Sequence, residues 1–392
     1  MSIEMVGMKA WKQTLVMLLA VSLLAGCGLW TRDTAEPPAP LPDFEAEVEP
    51  QVLWSRNTGA GSDGQYLQLS PFLGPESVVV VDARGRVSAH ALDDGDRLWR
   101  VNLNERMTAG VSGGGERIMV GTGKGHAIAL SLETGEELWR RTLTSEVKGI
   151  SRVEQGAVVF RTNDGRLHAL DARTGETGWT AGRTTPALSL RGAGRPLMLS
   201  GRVAAGFDNG RVLMLGLGRG NVLWEATVST PSGRSELERM ADVDGELAVA
   251  DGVLYAAGYQ GQVMALSLSD GRVLWQRDLS SYRGVSVAGQ MLFVTDSEGH
   301  VWALDRRNGA TLWQQDQLRL RNVTLPVILD QYVVVGDYEG YLHWISPEDG
   351  ALVGRARGDR QGIMGVPQVR DGVMYTLGRG GRLSAFTLPL EE

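Results

Sequence analysis

The sequence predicts an all-β fold: an eight-bladed β-propeller of four-stranded antiparallel blades, with the ring closed by the N-terminal strand. Three observations predict it. A loose motif, Gly-x-(Val/Leu/Ile)-x-Ala-Leu, starts at Gly85, Gly125, Gly165, Gly210, Gly261, Gly299, Gly340 and Gly381, at spacings of 40, 40, 45, 51, 38, 41 and 41. A period in the low forties belongs to propellers and solenoids. Each copy holds short apolar or alternating runs between glycine-bearing turns, and none holds a long segment of helical period. The two ends of the array are each incomplete. The last copy, Gly380 to Leu388, stops short of its fourth strand, while Gln51 to Asn57 carries Trp54 with no blade before it. Joined, they make one blade, and a closed ring needs no capping repeat.

From the N-terminus, Lys9 and Lys12 precede an apolar run from Leu15 to Leu24, followed by Leu24-Ala25-Gly26-Cys27. Residues 1–26 read as a signal peptide: a charged start, a short apolar centre and small residues at the cleavage point. The apolar run is too short to favour a membrane span. Leu24 to Cys27 resembles the bacterial lipobox. That resemblance implies that Cys27 becomes the acylated mature N-terminus, anchored by more than one chain. Gly28, where Asp would imply retention at the inner membrane, implies export to the inner leaflet of the outer membrane. Residues 27–50 then read as a lipidated cysteine and a flexible tether, since Thr31 to Pro50 is rich in proline and acidic residues.

The propeller is expected over residues 51–392. In its first unit, Val78 to Arg100, an apolar run ends in a glycine turn. An alternating run follows, then a second turn and a short strand holding Trp99. Gly95, Gly135, Gly175, Gly220, Gly271, Gly309 and Gly350 fall between the third and fourth strands, where a tight hairpin needs positive φ. Trp99, Trp139, Trp179, Trp224, Trp275 and Trp313 follow four residues later. On an outermost strand they are expected to pack blade against blade rather than to stack a ligand. Gly354 stands where the seventh unit should have its tryptophan, so an irregular outer strand is expected there.

Function is sought where the copies differ. Two intervals run long: the approach to the fourth unit, with Leu188, Leu190 and Arg191, and the approach to the fifth, with Glu236, Glu238, Arg239, Asp242 and Asp244. They lead into consecutive blades and should lie close together. Apolar anchors ringed by charge on neighbouring loops form a protein-binding pattern. Other constellations point nowhere. Asp242-Val-Asp244 is half a metal site without companions at calcium-loop spacing. Gly121 to His126 is glycine-rich but opens no helix, as a phosphate loop would. The five histidines fall on different blades, and no nucleophile elbow appears. No catalytic residue, metal or cofactor is expected. A net charge of −7 without a basic cluster argues against nucleic acid. A single cysteine leaves no intramolecular disulfide.

The repeat, of the form Ala-Leu-Asp-x-x-Thr-Gly-x-x-x-Trp, resembles that of the pyrroloquinoline-quinone dehydrogenases, whose propeller beds a quinone and calcium. The vicinal cysteine pair of many such enzymes has no counterpart here, so this PQQ- and calcium-dependent reading stays the alternative. The whole chain is more similar to the family of propeller lipoproteins of the outer-membrane β-barrel assembly machinery. The lipobox, acidic tether, eight repeats and closing strand are shared. So are Leu188 to Gly192 (LSLRG) and Glu238 to Gly245 (ERMADVDG). The resemblance implies a non-catalytic scaffold, monomeric within a hetero-complex. Its Leu188, Leu190, Arg191, Asp242 and Asp244 would bind the POTRA domains of the barrel-forming subunit. Nascent outer-membrane proteins, added as strands at blade edges, are a second implied partner.

Overall fold

The computed structural model describes residues 36–186, 188, 190, 192, 194–232 and 234–389. Among them, 32 strands form eight four-stranded sheets. Blades 1 to 7 cover residues 72–102, 107–142, 147–182, 197–227, 248–278, 285–315 and 327–357. Blade 8 takes Gln368–Arg370, Val373–Leu377 and Arg382–Thr387, and its fourth strand is Gln51–Asn57. That strand pairs antiparallel from Gln51 opposite Thr387 to Asn57 opposite Arg382. The expected closure is therefore present.

Within each blade the first strand lies innermost, where neighbouring blades approach one another. The second and third strands are buried on both faces, which is why Ser77–Val81 can read Ser-Val-Val-Val-Val without alternation. The fourth strand is the rim, and its outward residues are exposed, as in Arg97–Asn102. Each fourth strand carries a one-residue bulge. In blade 1, Ala89 faces Trp99 and His90 faces Arg97, so Leu98 is left out of the ladder and is 57% exposed.

The tryptophans do more than cover an edge. Each indole Nε1–H donates to a carbonyl of the next blade: Trp99 to Leu132 at 2.9 Å, Trp139 to Ala172 at 3.0 Å, Trp313 to Pro347 at 2.7 Å. Its ring lies on the next blade's turn glycine. A β-carbon at Gly309 would sit 2.8 Å from Trp275. Gly309 also has φ +74°. Glycine is thus required twice over, by backbone sign and by the neighbour's ring. Trp54 on the closing strand repeats the contact, donating to Leu92 at 2.9 Å.

Gly354 is a correction to the sequence reading. Its strand, Leu352–Arg357, is regular, with the same bulge as the others. The tryptophan is missing because blade 8 has no hairpin between third and fourth strands to receive it, its fourth strand coming from the other end of the chain. The space holds the approach to that strand instead. Val353 O accepts the amides of Glu47 at 2.8 Å and Val48 at 2.9 Å, and a β-carbon at Gly354 would sit 2.9 Å from Val48 O. The stretch read from sequence as a flexible tether is bonded to blade 7 and to the connection between blades 6 and 7 over residues 39–48. Ala39 N–H donates to Arg319 O at 3.0 Å, Arg321 Nη1 donates to Ala39 O at 2.9 Å, and Arg355 donates to Pro42 O. The Arg355 guanidinium also lies 4.7 Å from the Phe44 ring.

Candidate functional site

The two long intervals become the connections from blade 3 to blade 4 (183–196) and from blade 4 to blade 5 (228–247). They meet, as their adjacency in sequence predicts. The manner of meeting differs from a pair of solvated loops. Cys27 and Arg191 lie outside the described residues. Leu188 is 40% exposed and Leu190 half-buried. Asp242 and Asp244 are buried, at 0% and 2% exposure.

Their burial follows from alternation. Asp242-Val243-Asp244 runs extended, so both carboxylates share one side and Val243 the other. Val243 enters the core between blades 4 and 5, and its amide donates to Phe207 O at 3.1 Å. The carboxylates face the other connection. Asp242 Oδ2 accepts the Leu190 amide, and Asp244 Oδ2 accepts the Gly192 amide at 3.1 Å. The approach is close enough that a β-carbon at Gly192 would fall on the Asp244 side chain, and one at Gly194 on its backbone oxygen at 2.7 Å. The glycines of Leu-Arg-Gly-Ala-Gly are therefore there for contact.

Behind the aspartates stand three charges that the sequence reading did not single out. Arg161, at the end of the second strand of blade 3, donates through Nη2 to both Asp208 and Asp244. Lys148, on the first strand of that blade, places Nζ 3.6 Å from Asp208 Oδ2 and 3.6 Å from Asp244 Oδ2, and donates to Leu190 O at 3.4 Å. Among the described residues, three carboxylates thus surround two cations. Burial pushes Asp242 up to about 7, with Asp244 and Asp208 adding to it. Burial also raises Asp208. It opposes ionisation of Asp244 too, yet Arg161 and Lys148 hold that carboxyl below the ordinary range. A cluster of this kind holds backbone in place. The signal for it was legible in principle: Lys148 and Arg161 interrupt strands that are otherwise apolar.

The second connection switches abruptly from exposed to buried at Ala241. Before it, Ser235 and Glu238 cap a short turn reciprocally. Glu238 Oε2 accepts the Ser235 amide at 3.2 Å, and Ser235 Oγ accepts the Glu238 amide at 3.2 Å. The turn lifts Leu237 to 63% exposure, a residue the charge pattern around it had hidden. Between the connections and the ring opening lies a cleft of about 430 Å³, walled by Leu190, Gly192, Tyr66, Tyr259 and Tyr282. The two tyrosine rings of Tyr259 and Tyr282 meet edge to face at 6.3 Å.

Residues 83–315 match the family described as outer membrane protein assembly factor BamB. The chain is 44% identical over 381 residues to outer membrane protein assembly factor BamB of Pseudomonas aeruginosa, covering 97% of this chain and all of that one. It is 47% identical to that of Alkalilimnicola ehrlichii over 96% of this chain and 97% of that one. The crystal structure of BamB from Moraxella catarrhalis aligns at TM-score 0.75 and 25% identity, over 88% of this chain and 99% of that one. A quinohemoprotein alcohol dehydrogenase from Comamonas testosteroni aligns at TM-score 0.66 and 13% identity, over 86% of this chain and 76% of that one, a likeness of fold alone.

Proposed function

The chain belongs to the family of outer membrane protein assembly factor BamB, and from that premise we propose that it is a non-catalytic scaffold in outer-membrane protein assembly. It docks through the connections 183–196 and 228–247 onto the POTRA domains of the barrel-forming subunit. It is held at the periplasmic face of the outer membrane by acylated Cys27. The observation that carries this reading is the exposure of apolar side chains on two connections that are bonded to each other. Leu188 and Leu237 stand exposed on two connections that bonds from Asp242 and Asp244 lash to each other and to the ring. Apolar anchors beside charge suit a protein partner. In this reading Leu188 and Leu190 supply contact, and the two aspartates hold them.

The test is binding of the full-length lipoprotein, in mild detergent, to the purified barrel-forming subunit. Leu188→Glu changes an exposed side chain and should leave the thermal midpoint unchanged. It is expected to weaken binding by about tenfold or more. Unaltered affinity in the folded variant would overturn the assignment of this face.

A further inference from the structure

We propose that Lys148, itself unable to touch a partner, is a positioning residue that sets the shape of the docking connection from beneath. The proposal rests on the docking reading above and extends it to a buried side chain. Lys148 is 6% exposed. An ammonium has three N–H groups, and Nζ faces three oxygens on three separate pieces of chain. These are Leu190 O on the connection between blades 3 and 4, Asp208 Oδ2 on the turn of blade 4, and Asp244 Oδ2 on the connection between blades 4 and 5. One charge thus ties together the segments that must keep register for Leu188 and Leu190 to stand where they do.

The peptide groups of Leu190 are held on both sides. The amide is taken by Asp242 Oδ2 and the carbonyl by Lys148 Nζ. Two residues on, the Gly192 amide is taken by Asp244, the carboxylate that Lys148 and Arg161 together fix. An exposed connection with its backbone bonded at three points inward has few alternatives open to it. Buried ion pairs often add little to stability over an apolar replacement of the same shape. A role in selecting one conformation is the role such a cluster can fill here, and it acts on the segment carrying Leu188.

The experiment uses Lys148→Met, and Lys148→Met with Asp208→Asn, the second removing one positive and one negative charge so that the interior stays balanced. Two readouts are taken on the full chain: amide hydrogen exchange residue by residue, and affinity for the barrel-forming subunit. The Leu190 and Gly192 amides are expected to exchange on the order of tenfold faster. Those of Val159 and Phe160 in the core should keep the wild-type rate, and affinity should fall by a similar factor. Unchanged exchange at Leu190 and Gly192 in the balanced variant would overturn the proposal. So would faster exchange with undiminished affinity. If wild type itself does not bind that subunit, the docking reading falls and the proposal with it, a result the exchange data cannot imitate.

Discussion

Replacing Asp242 with asparagine should remove a pH dependence from the stability of the propeller. The side chain is fully buried. One carboxyl oxygen takes the Leu190 amide, and the other has no hydrogen-bond partner among the described residues. The groups around it are Asp244 and Asp208, which oppose its ionisation, and Lys148, which favours it. The folded carboxyl is pushed from 3.8 up to about 7, chiefly by burial. The folded chain therefore keeps a proton that the unfolded chain has lost, and stability falls as pH rises through this window. The span is about 3 pH units, and at about 1.4 kcal/mol per unit the ceiling is about 4 kcal/mol. Asparagine offers the same oxygen to Leu190 and has no charge to bury. The assay is urea unfolding of both proteins at several pH values from 5 to 8. At pH 5 the variant should already be the more stable by about 1.6 kcal/mol, and the gap should widen up to about pH 7 and then level off toward pH 8. Because Asp208, Asp244, Lys148 and Arg161 are common to both, their titration largely cancels. A flat difference across this range, or a variant weaker at pH 8, would refute the reasoning.

Three further outcomes follow from the geometry. Arg161→Met leaves Asp208 and Asp244 buried with one cation between them, and should cost about 3–5 kcal/mol in denaturant unfolding. Gly271→Ala puts a methyl 2.6 Å from the Trp224 ring at φ +73°, and should lower stability by about 1–3 kcal/mol by the same measure. Gly354→Trp restores the repeat but needs the space of Val48. Exchange of the Glu47 and Val48 amides should rise while that of Val333 and Val334 stays slow, and unchanged protection at Val48 would contradict the account of this position.

The architecture was largely legible in the sequence because its causes are local and repeated. Positive-φ turns demand glycine, bilaterally buried strands demand unbroken apolar runs, and an orphan strand at one end with a blade lacking its fourth strand at the other demands closure. What escaped were contacts whose two halves lie a blade apart. Nothing in the Gly95 neighbourhood says that Trp54 will lie on it, and nothing near Gly354 says that the chain's own approach segment takes the tryptophan's place. The candidate site was half legible. Two long intervals on adjacent blades located it, and LSLRG and ADVDG named its parts. The side to which Asp242 and Asp244 point depends on Val243 being drawn into a core that only the assembled ring provides. Lys148 and Arg161 are charges inside apolar strands, but they were passed over because their partners Asp208 and Asp244 lie about one and two blades further along the chain.

The segment bonded ahead of the closing strand also decides how the ring bears force. A pull arriving from the N-terminal side loads Ala39, held by Arg319 and Arg321, then Pro42 on Arg355, then Glu47 and Val48 on Val353. Only after these give way does load reach Gln51 and the six residue pairs that close the circle. The attachments are in series, so they would yield one at a time, each release lengthening the leash and relaxing the tension. The seam of the ring is thus shielded by sacrificial links, and a molecule tugged by its N-terminus would pay out chain before its circle opened.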